Sequence, residues 1–223
     1  MFGLVRGPLV WVSLIVFALG TVFQILRFFS LSRKADIRPH VVAPLSGKEA
    51  QKRISPRILR RLFQASGNTV LGVYPVTIAV TTIFHVCLIF VPLFLLGHNE
   101  LLDLSLGVSL PSMPEQVSDV LSIALLACCA FFLCRRIFVS RVRAITSFYD
   151  YLVLVLAAVP FLSGFLGYHQ IFDYRTVMIV HMLSGELLLI AIPFTKLTHM
   201  VFFFLNRIMI INEHTLGKGS RAW

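Results

Sequence analysis

The sequence predicts an all-α integral membrane protein whose bundle contains five transmembrane helices. Of its 223 residues, 57% are hydrophobic and only 13% are charged, and the mean hydropathy is +0.86. This composition is typical of a chain that passes repeatedly through a bilayer, not of a soluble core under a polar surface. No polar stretch is long enough to form a soluble domain of its own. We therefore expect one membrane domain covering residues 1–223.

Five apolar stretches define the predicted spans, at about 8–26, 70–97, 120–133, 148–166 and 177–205. The first is too long for a typical signal peptide, and no small-residue cleavage site follows it, so it is interpreted as a helix. A basic loop, 27–69, separates it from the second span and is interrupted by proline and glycine. The apolar stretch that defines the third span is short for a membrane-crossing helix, so we expect the helix to extend beyond it at both ends.

Basic residues are concentrated on one side of the predicted membrane. The loop 27–69, the connection between the third and fourth spans, and the C-terminal segment beginning at Lys196 hold 18 of the 20 Lys and Arg. Only Arg6 and Arg175 fall on the other side, together with five acidic residues. The positive-inside rule predicts that the N-terminus lies outside and the C-terminus lies in the cytoplasm. The net charge of +10 is thereby explained by topology, and we expect no nucleic-acid partner.

Four histidines lie in or at the ends of the apolar stretches, and ionisable residues there are costly and usually functional. They are His85, His98, His181 and His199. His181 and His199 are 18 residues apart. In a continuous helix this separation corresponds to five full turns, so both side chains project from the same face. The helix rise between them is about 27 Å, close to the ~30 Å thickness of the hydrocarbon core of a bilayer.

Antiparallel packing of the second and fifth spans pairs these histidines at two depths. His85 would pair with His199 near the cytoplasm, and His98 with His181 near the outer surface. Each pair could ligate the iron of one haem b through two ring nitrogens. His85 and His98 are only 13 residues apart, which is about 20 Å of helix rise and about 140° off in phase. The pairing therefore requires a distortion of the second span, which we expect at Pro92.

Three segments resemble the cytochrome b (gamma) subunit family of respiratory nitrate reductase. They are His181-Met-Leu-Ser-Gly185 followed by Pro193-Phe-Thr-Lys-Leu-Thr-His199, the arginine-rich segment 135–146, and Ile83-Phe84-His85 with Leu96-Gly97-His98. The resemblance covers the second to fifth spans. It implies a five-helix subunit in which these four histidines are the metal ligands of two haems b, exchanging electrons with menaquinone or another quinone.

Within that family, three features look more like the branch found in transmembrane redox complexes of sulfate-reducing bacteria: the long basic loop before the second span, the Gly185-Glu186 pair and the Pro92-containing span. This resemblance implies a multi-pass location in the bacterial cytoplasmic (inner) membrane. That branch implies further membrane subunits, a multihaem cytochrome c outside and an iron–sulfur subunit on the cytoplasmic side.

Three charged residues are further candidates. Glu186 lies inside the fifth span and is interpreted either as a catalytic proton-relay or quinone-site group or as a partner of a neighbouring hydroxyl or amide. Arg135 and Arg141 are predicted at the cytoplasmic surface, where they would bind haem propionates, lipid phosphates or an acidic partner, or would only set the topology.

The functional hypothesis is a di-haem cytochrome b that transfers electrons between a quinone pool and partner subunits. It would be one subunit of a multi-subunit quinone-linked oxidoreductase and not a complete enzyme. Two alternatives remain at this point: a proton- or metal-linked transporter subunit, and a haem-free structural anchor. No inverted repeat is visible, which weighs against a transporter.

Overall fold

The computed structural model describes residues 5–34 and 74–206, and all regular structure in those ranges is helical. Its helices are α1 (Val10–Lys34), α2 (Pro75–Phe94), α3 (Leu96–Leu106), α4 (Glu115–Phe138), α5 (Ser140–Arg143), α6 (Phe148–Tyr168) and α7 (Tyr174–Ala191). A π-helical turn, Val5–Leu9, precedes α1. Two 3-10 turns, Ile192–Phe194 and Lys196–Thr198, follow α7, and residues 199–206 are again helical and are named α8.

Five segments of the described chain are long and apolar enough to cross a membrane: Gly7–Leu31, Pro75–Phe94, Glu115–Phe138, Phe148–Tyr168 and Tyr174–Phe194. The predicted all-α membrane fold with five spanning helices is therefore confirmed. The orientation of these helices, with the N-terminus outside, stays a prediction.

The chain divides into two compact units. The first consists of Met1–Gly7 and Ala65–Leu188, and the second of Pro8–Gln64 and Leu189–Trp223. In the first unit α4 lies between α2 and α6 and packs against both. The buried side chains at these contacts come from all three helices: Cys87 and Val91, Leu125 and Cys129, and Phe161. The four cysteines are free thiols, and the three buried ones act as small apolar packing residues.

Side-chain hydrogen bonds at the two ends of α6 determine where this helix begins and how it lies against α4. The carboxylate of Asp150 accepts a hydrogen bond from the Ser147 N–H at 2.8 Å, which satisfies one of the free donors before the first turn of α6. At the other end of α6, the Tyr168 hydroxyl donates to Glu115 at 2.9 Å. His169 pairs with Asp119 at 2.9 Å. These two contacts tie the end of α6 to the start of α4.

In the second unit α1 packs against the 3-10 turn Ile192–Phe194. A Cβ at Gly20 would lie only 2.7 Å from Pro193 Cγ, so glycine allows this close approach. The Gln24 amide donates to the Pro193 carbonyl at 2.6 Å, and Phe28 stacks on Phe202 of α8 with ring centroids 5.6 Å apart.

Several predicted bounds are corrected. Helix α1 continues to Lys34, so the start of the predicted loop 27–69 is helical, and positions 35–69 lie outside the described residues. As expected, the third span extends at both ends, to Glu115–Phe138. The connection after His98 is largely helical because α3 occupies Leu96–Leu106. The fifth span is not one helix over 177–205, since α7 ends at Ala191.

The interruption after α7 has a local cause. Pro193 has no N–H, so it cannot continue the ladder of hydrogen bonds, and Thr195 is extended with φ −122° and ψ −176°. The Thr198 hydroxyl donates to the Ile192 carbonyl at 2.9 Å and to the Thr195 carbonyl at 2.8 Å. These bonds, together with the Thr198 N–H that donates to the Thr195 carbonyl at 3.1 Å, stabilise the two turns that replace the α-helix.

Candidate functional site

His98 is positioned by a break between α2 and α3. Helix α2 continues through Pro92 to Phe94, and the backbone becomes extended at Leu95, with φ −72° and ψ 129°. The predicted distortion is present, but it lies three residues beyond Pro92. It frees the Pro92 carbonyl, which binds Nδ1 of His98 at 2.9 Å. The returning segment strengthens this corner, because the Met113 N–H donates to the Phe94 carbonyl at 2.9 Å.

His181 on α7 is held against α6. Its Nδ1 lies 2.8 Å from the Pro160 carbonyl and 3.5 Å from the Ser163 hydroxyl. A Cβ at Gly164 would stand 3.0 Å from Cε1 and 3.2 Å from Nδ1 of the ring. The imidazole therefore occupies the space that any larger residue at position 164 would fill.

The structure brings His98 and His181 together, and we refer to them as the paired histidines. Their ring centroids are 5.9 Å apart and the ring planes differ by 24°. A metal bound by one nitrogen of each ring at ~2 Å places the two ring centres about 6 Å apart, given the size of the rings. The same separation also occurs in direct aromatic contacts, so the hydrogen bonds of the rings have to distinguish the two interpretations.

Those hydrogen bonds leave the same nitrogen of each ring free. In both rings Nδ1 meets a backbone carbonyl, which assigns the proton to Nδ1 and the lone pair to Nε2. Within the described ranges, Nε2 of neither paired histidine has a hydrogen-bond partner. A carbonyl on one nitrogen and a metal on the other is the usual arrangement of a histidine ligand.

The donor set suits haem better than a bare metal ion. Among residues 5–34 and 74–206, no three His, Cys, Asp or Glu side chains are grouped so that they could hold an ion. A porphyrin supplies four nitrogens of its own and needs only two axial ligands. There is also room beside the ligands, because a Cβ at Gly185, one turn after His181, or at Gly97, next to His98, would meet no atom within 4 Å.

The other two predicted ligands belong to different units, and each is described within its own. His85 is half-buried on α2, and its Nδ1 lies 2.7 Å from the Thr81 carbonyl one turn earlier. His199 is exposed at the start of α8, and its Nδ1 lies 2.7 Å from the Lys196 carbonyl. Because 3-10 turns and the extended Thr195 separate His199 from α7, the continuous helix predicted between His181 and His199 is wrong.

The remaining predicted site residues lie in distinct environments. Glu186 is buried on α7, and neither carboxylate oxygen has a hydrogen-bond partner among the described residues. Arg135 is half-buried in the last turn of α4, and Arg141 is exposed on the short α5. Neither arginine forms an ion pair within the described part of the chain. Their predicted roles toward propionates, lipids or a partner stay predictions.

Comparison with known proteins identifies one curated relative over the whole length. A protein of Nitratidesulfovibrio vulgaris strain Hildenborough is 33% identical over 227 residues, covering 99% of this chain and 96% of the relative. The chain belongs to the same family as this protein. No family model matches the chain, and no solved structure matches it significantly.

The residues that hold the paired histidines in place were not predicted from the sequence. Pro160, Ser163 and Gly164 form the surface of α6 against which His181 rests. The sequence did contain an indication of this contact, because small residues inside an apolar span allow a neighbouring helix to approach closely, and a proline there leaves a backbone carbonyl free to accept a hydrogen bond. Asn99 was also missed: it is 2% exposed, and its amide donates to the Ser112 hydroxyl at 3.1 Å, which anchors α3 beside His98.

Proposed function

We propose that the chain is a membrane cytochrome b subunit and that the paired histidines hold one haem b between them. The observation that carries this proposal is the convergence of two imidazoles from α3 and α7, 5.9 Å apart, each with Nδ1 on a carbonyl and Nε2 free. A histidine that only packs does not need this matched pair of free nitrogens, whereas a ligand does. When bound, haem supplies reversible one-electron chemistry between ferric and ferrous iron.

The chain's own residues would orient the two ligands. The carbonyls of Pro92 and Pro160 hold both rings in one tautomer, and Gly164 lets α7 bring His181 close to α6. Ligands fixed in this way lose little further freedom on binding, which favours tight axial coordination. Buried apolar side chains along α2, α4 and α6 keep water out of the neighbouring core.

We further propose that the subunit belongs to a larger quinone-linked oxidoreductase. The resemblance to the nitrate reductase gamma subunit supports menaquinone or another quinone as the electron-carrying substrate. It also supports an iron–sulfur subunit on the cytoplasmic side, a multihaem cytochrome c outside, and other membrane subunits. The relative from Nitratidesulfovibrio vulgaris, a sulfate reducer, agrees with the branch of that family which the sequence resembles. A second haem at His85 and His199 stays a prediction from the sequence.

A reduced-minus-oxidised absorption spectrum of the protein purified from membranes tests the proposal. We expect a b-type α-band and, with both predicted sites filled, about two haems per chain. His98→Ala and His181→Ala should each remove the haem of the paired histidines. His169→Ala is the matched control, because His169 pairs with Asp119 and should leave the haem content unchanged.

Two results would overturn the proposal. A wild-type protein without any haem band would favour the structural anchor or the transporter. A haem content that survives loss of either paired histidine would mean that these two residues are not its ligands.

A further inference from the structure

Glu186 is a buried carboxyl group for which the fold provides no partner. It is 5% exposed, and both carboxylate oxygens lack a hydrogen-bond partner among the described residues. It lies well inside the segment Tyr174–Phe194, which is long and apolar enough to cross a membrane. A buried carboxylate without a donor or a cation is costly, and such residues in membrane helices are usually functional.

Its position relates it to the paired histidines. Glu186 follows His181 by five residues in the uninterrupted helix α7, which places it ~7.5 Å farther along the helix axis at 1.5 Å per residue. It therefore lies in the interior of the membrane segment, on the same helix as one proposed ligand. The five residues also rotate Glu186 about 140° around the helix axis from His181, so its coupling to the haem would be electrostatic and not a direct contact. In a medium of low dielectric constant, charges interact over many ångströms, so a change of one unit charge at the haem would act on Glu186.

No described neighbour already neutralises this carboxyl group. Glu186 forms no hydrogen bond or ion pair with any titratable side chain of the interior of its unit. Those side chains are His85, Cys87, Cys128, Cys129, His98 and His181.

We propose that Glu186 takes up a proton when the haem at the paired histidines is reduced, and releases it when that haem is oxidised. The inference rests on the proposed function. A ferric haem bound by the paired histidines would carry one positive charge more than a ferrous one, so its reduction would favour the protonated form of Glu186. The haem would accept one electron from the reductant, the carboxylate of Glu186 would bind one proton from the aqueous phase, and no other bond would form or break.

Potentiometric titration of the purified protein at a series of pH values tests this coupling. In the wild type, the midpoint potential of the haem at the paired histidines should fall as the pH rises. In Glu186→Gln the dependence should be clearly weaker, because the amide cannot exchange a proton. Glu100→Gln is the control: Glu100 is an exposed carboxylate on α3, two residues from His98, and its loss should leave the slope unchanged.

An infrared difference spectrum provides a readout that does not depend on a folded variant. The reduced-minus-oxidised spectrum of the wild type should gain a protonated carboxyl band. A wild-type spectrum without this band, or equal pH slopes in the wild type and Glu186→Gln, would overturn the inference while leaving the haem assignment intact. A protein that binds no haem would instead overturn the proposed function, and the inference with it.

Discussion

Gly164 and His181 are packed so closely that a Cβ at position 164 would be in tight contact with the imidazole, which would have to move by a few tenths of an ångström. A Cβ there would stand 3.0 Å from Cε1 and 3.2 Å from Nδ1 of His181. The same ring is anchored by the Pro160 carbonyl one turn earlier on α6. Residues of α6 thus determine where the His181 side chain of α7 points.

Gly164→Ala should weaken haem binding at the paired histidines. The new methyl group forces the His181 ring or α7 to shift, and overpacking of this kind costs about 1–3 kcal/mol. We expect a several-fold loss of haem at this site, measured by the reduced-minus-oxidised spectrum per chain. Gly7→Ala is the control, because a Cβ at Gly7 meets no atom within 4 Å. Full haem content in Gly164→Ala would contradict the positioning role of Gly164.

Gly185→Leu should separate folding from haem binding. A Cβ at Gly185 meets nothing within 4 Å, and glycine inside a helix is less favourable than most residues by roughly 0.5–1 kcal/mol. The haem-free variant should therefore fold at least as well as the wild type. If the haem lies over Gly185, the leucine occupies its space and the haem is lost. The exposed Val180→Leu on the same helix is the control, and normal haem content in Gly185→Leu would place the macrocycle elsewhere.

Asp173 should make the start of α7 sensitive to acid. Its carboxylate accepts hydrogen bonds from the Thr176 hydroxyl at 2.6 Å and the Thr176 N–H at 2.9 Å, and these hold the pKa of Asp173 below its usual range. The folded chain then binds fewer protons than the unfolded chain in mild acid. The stabilisation is complete above the pKa of the unfolded state and is lost as the pH falls through the lower pKa of the folded state.

Thermal unfolding of Asp173→Ala and the wild type at several pH values measures this effect. The variant should melt at a lower temperature near neutral pH, and the difference should vanish in strong acid. The control Asp103→Ala removes an exposed carboxylate that forms no side-chain hydrogen bond within the described residues. A difference between Asp173→Ala and the wild type that does not change with pH would contradict the prediction.

Glu186→Gln should slow quinone-linked electron transfer while leaving the haem in place. Quinone reduction and quinol oxidation move protons with electrons, and losing one proton-transfer group typically costs on the order of 10²-fold in rate. Quinol oxidation by the intact complex, normalised to haem content, is the measurement. An unchanged rate would exclude Glu186 from the proton path.

The sequence predicts the five spans and the candidate ligands because hydropathy and charge asymmetry act over whole helices. It also indicates that the second span must be distorted before His98 can meet His181. It misplaces that distortion, because Pro92 is accommodated within α2 and the extended residue is Leu95. The corner depends on hydrogen bonds from residues far along the chain, such as Met113 to Phe94, which no local pattern reveals.

In the fifth span, by contrast, the sequence analysis did not predict a helix break that the structure contains. Its apolar pattern continues past Pro193, so hydropathy alone predicts one helix from 177 to 205. The helix breaks because Pro193 removes a donor, and the side chains of Thr198 and Gln24 satisfy the exposed carbonyls. Pro193 can be recognised in the sequence as a residue that ends helices. Its hydrogen-bond partner Gln24 in α1 cannot be recognised in this way, because it lies 169 residues away in the chain.

The most direct measurement is an experimental structure of the protein purified with its cofactors, at a resolution that shows the ligands of the iron. The account predicts one haem iron between α3 and α7, at ~2 Å from Nε2 of His98 and Nε2 of His181. Both Nδ1 atoms should keep their bonds to the carbonyls of Pro92 and Pro160. Paired histidines in direct contact with no iron between them, or a haem ligated by other residues, would contradict it.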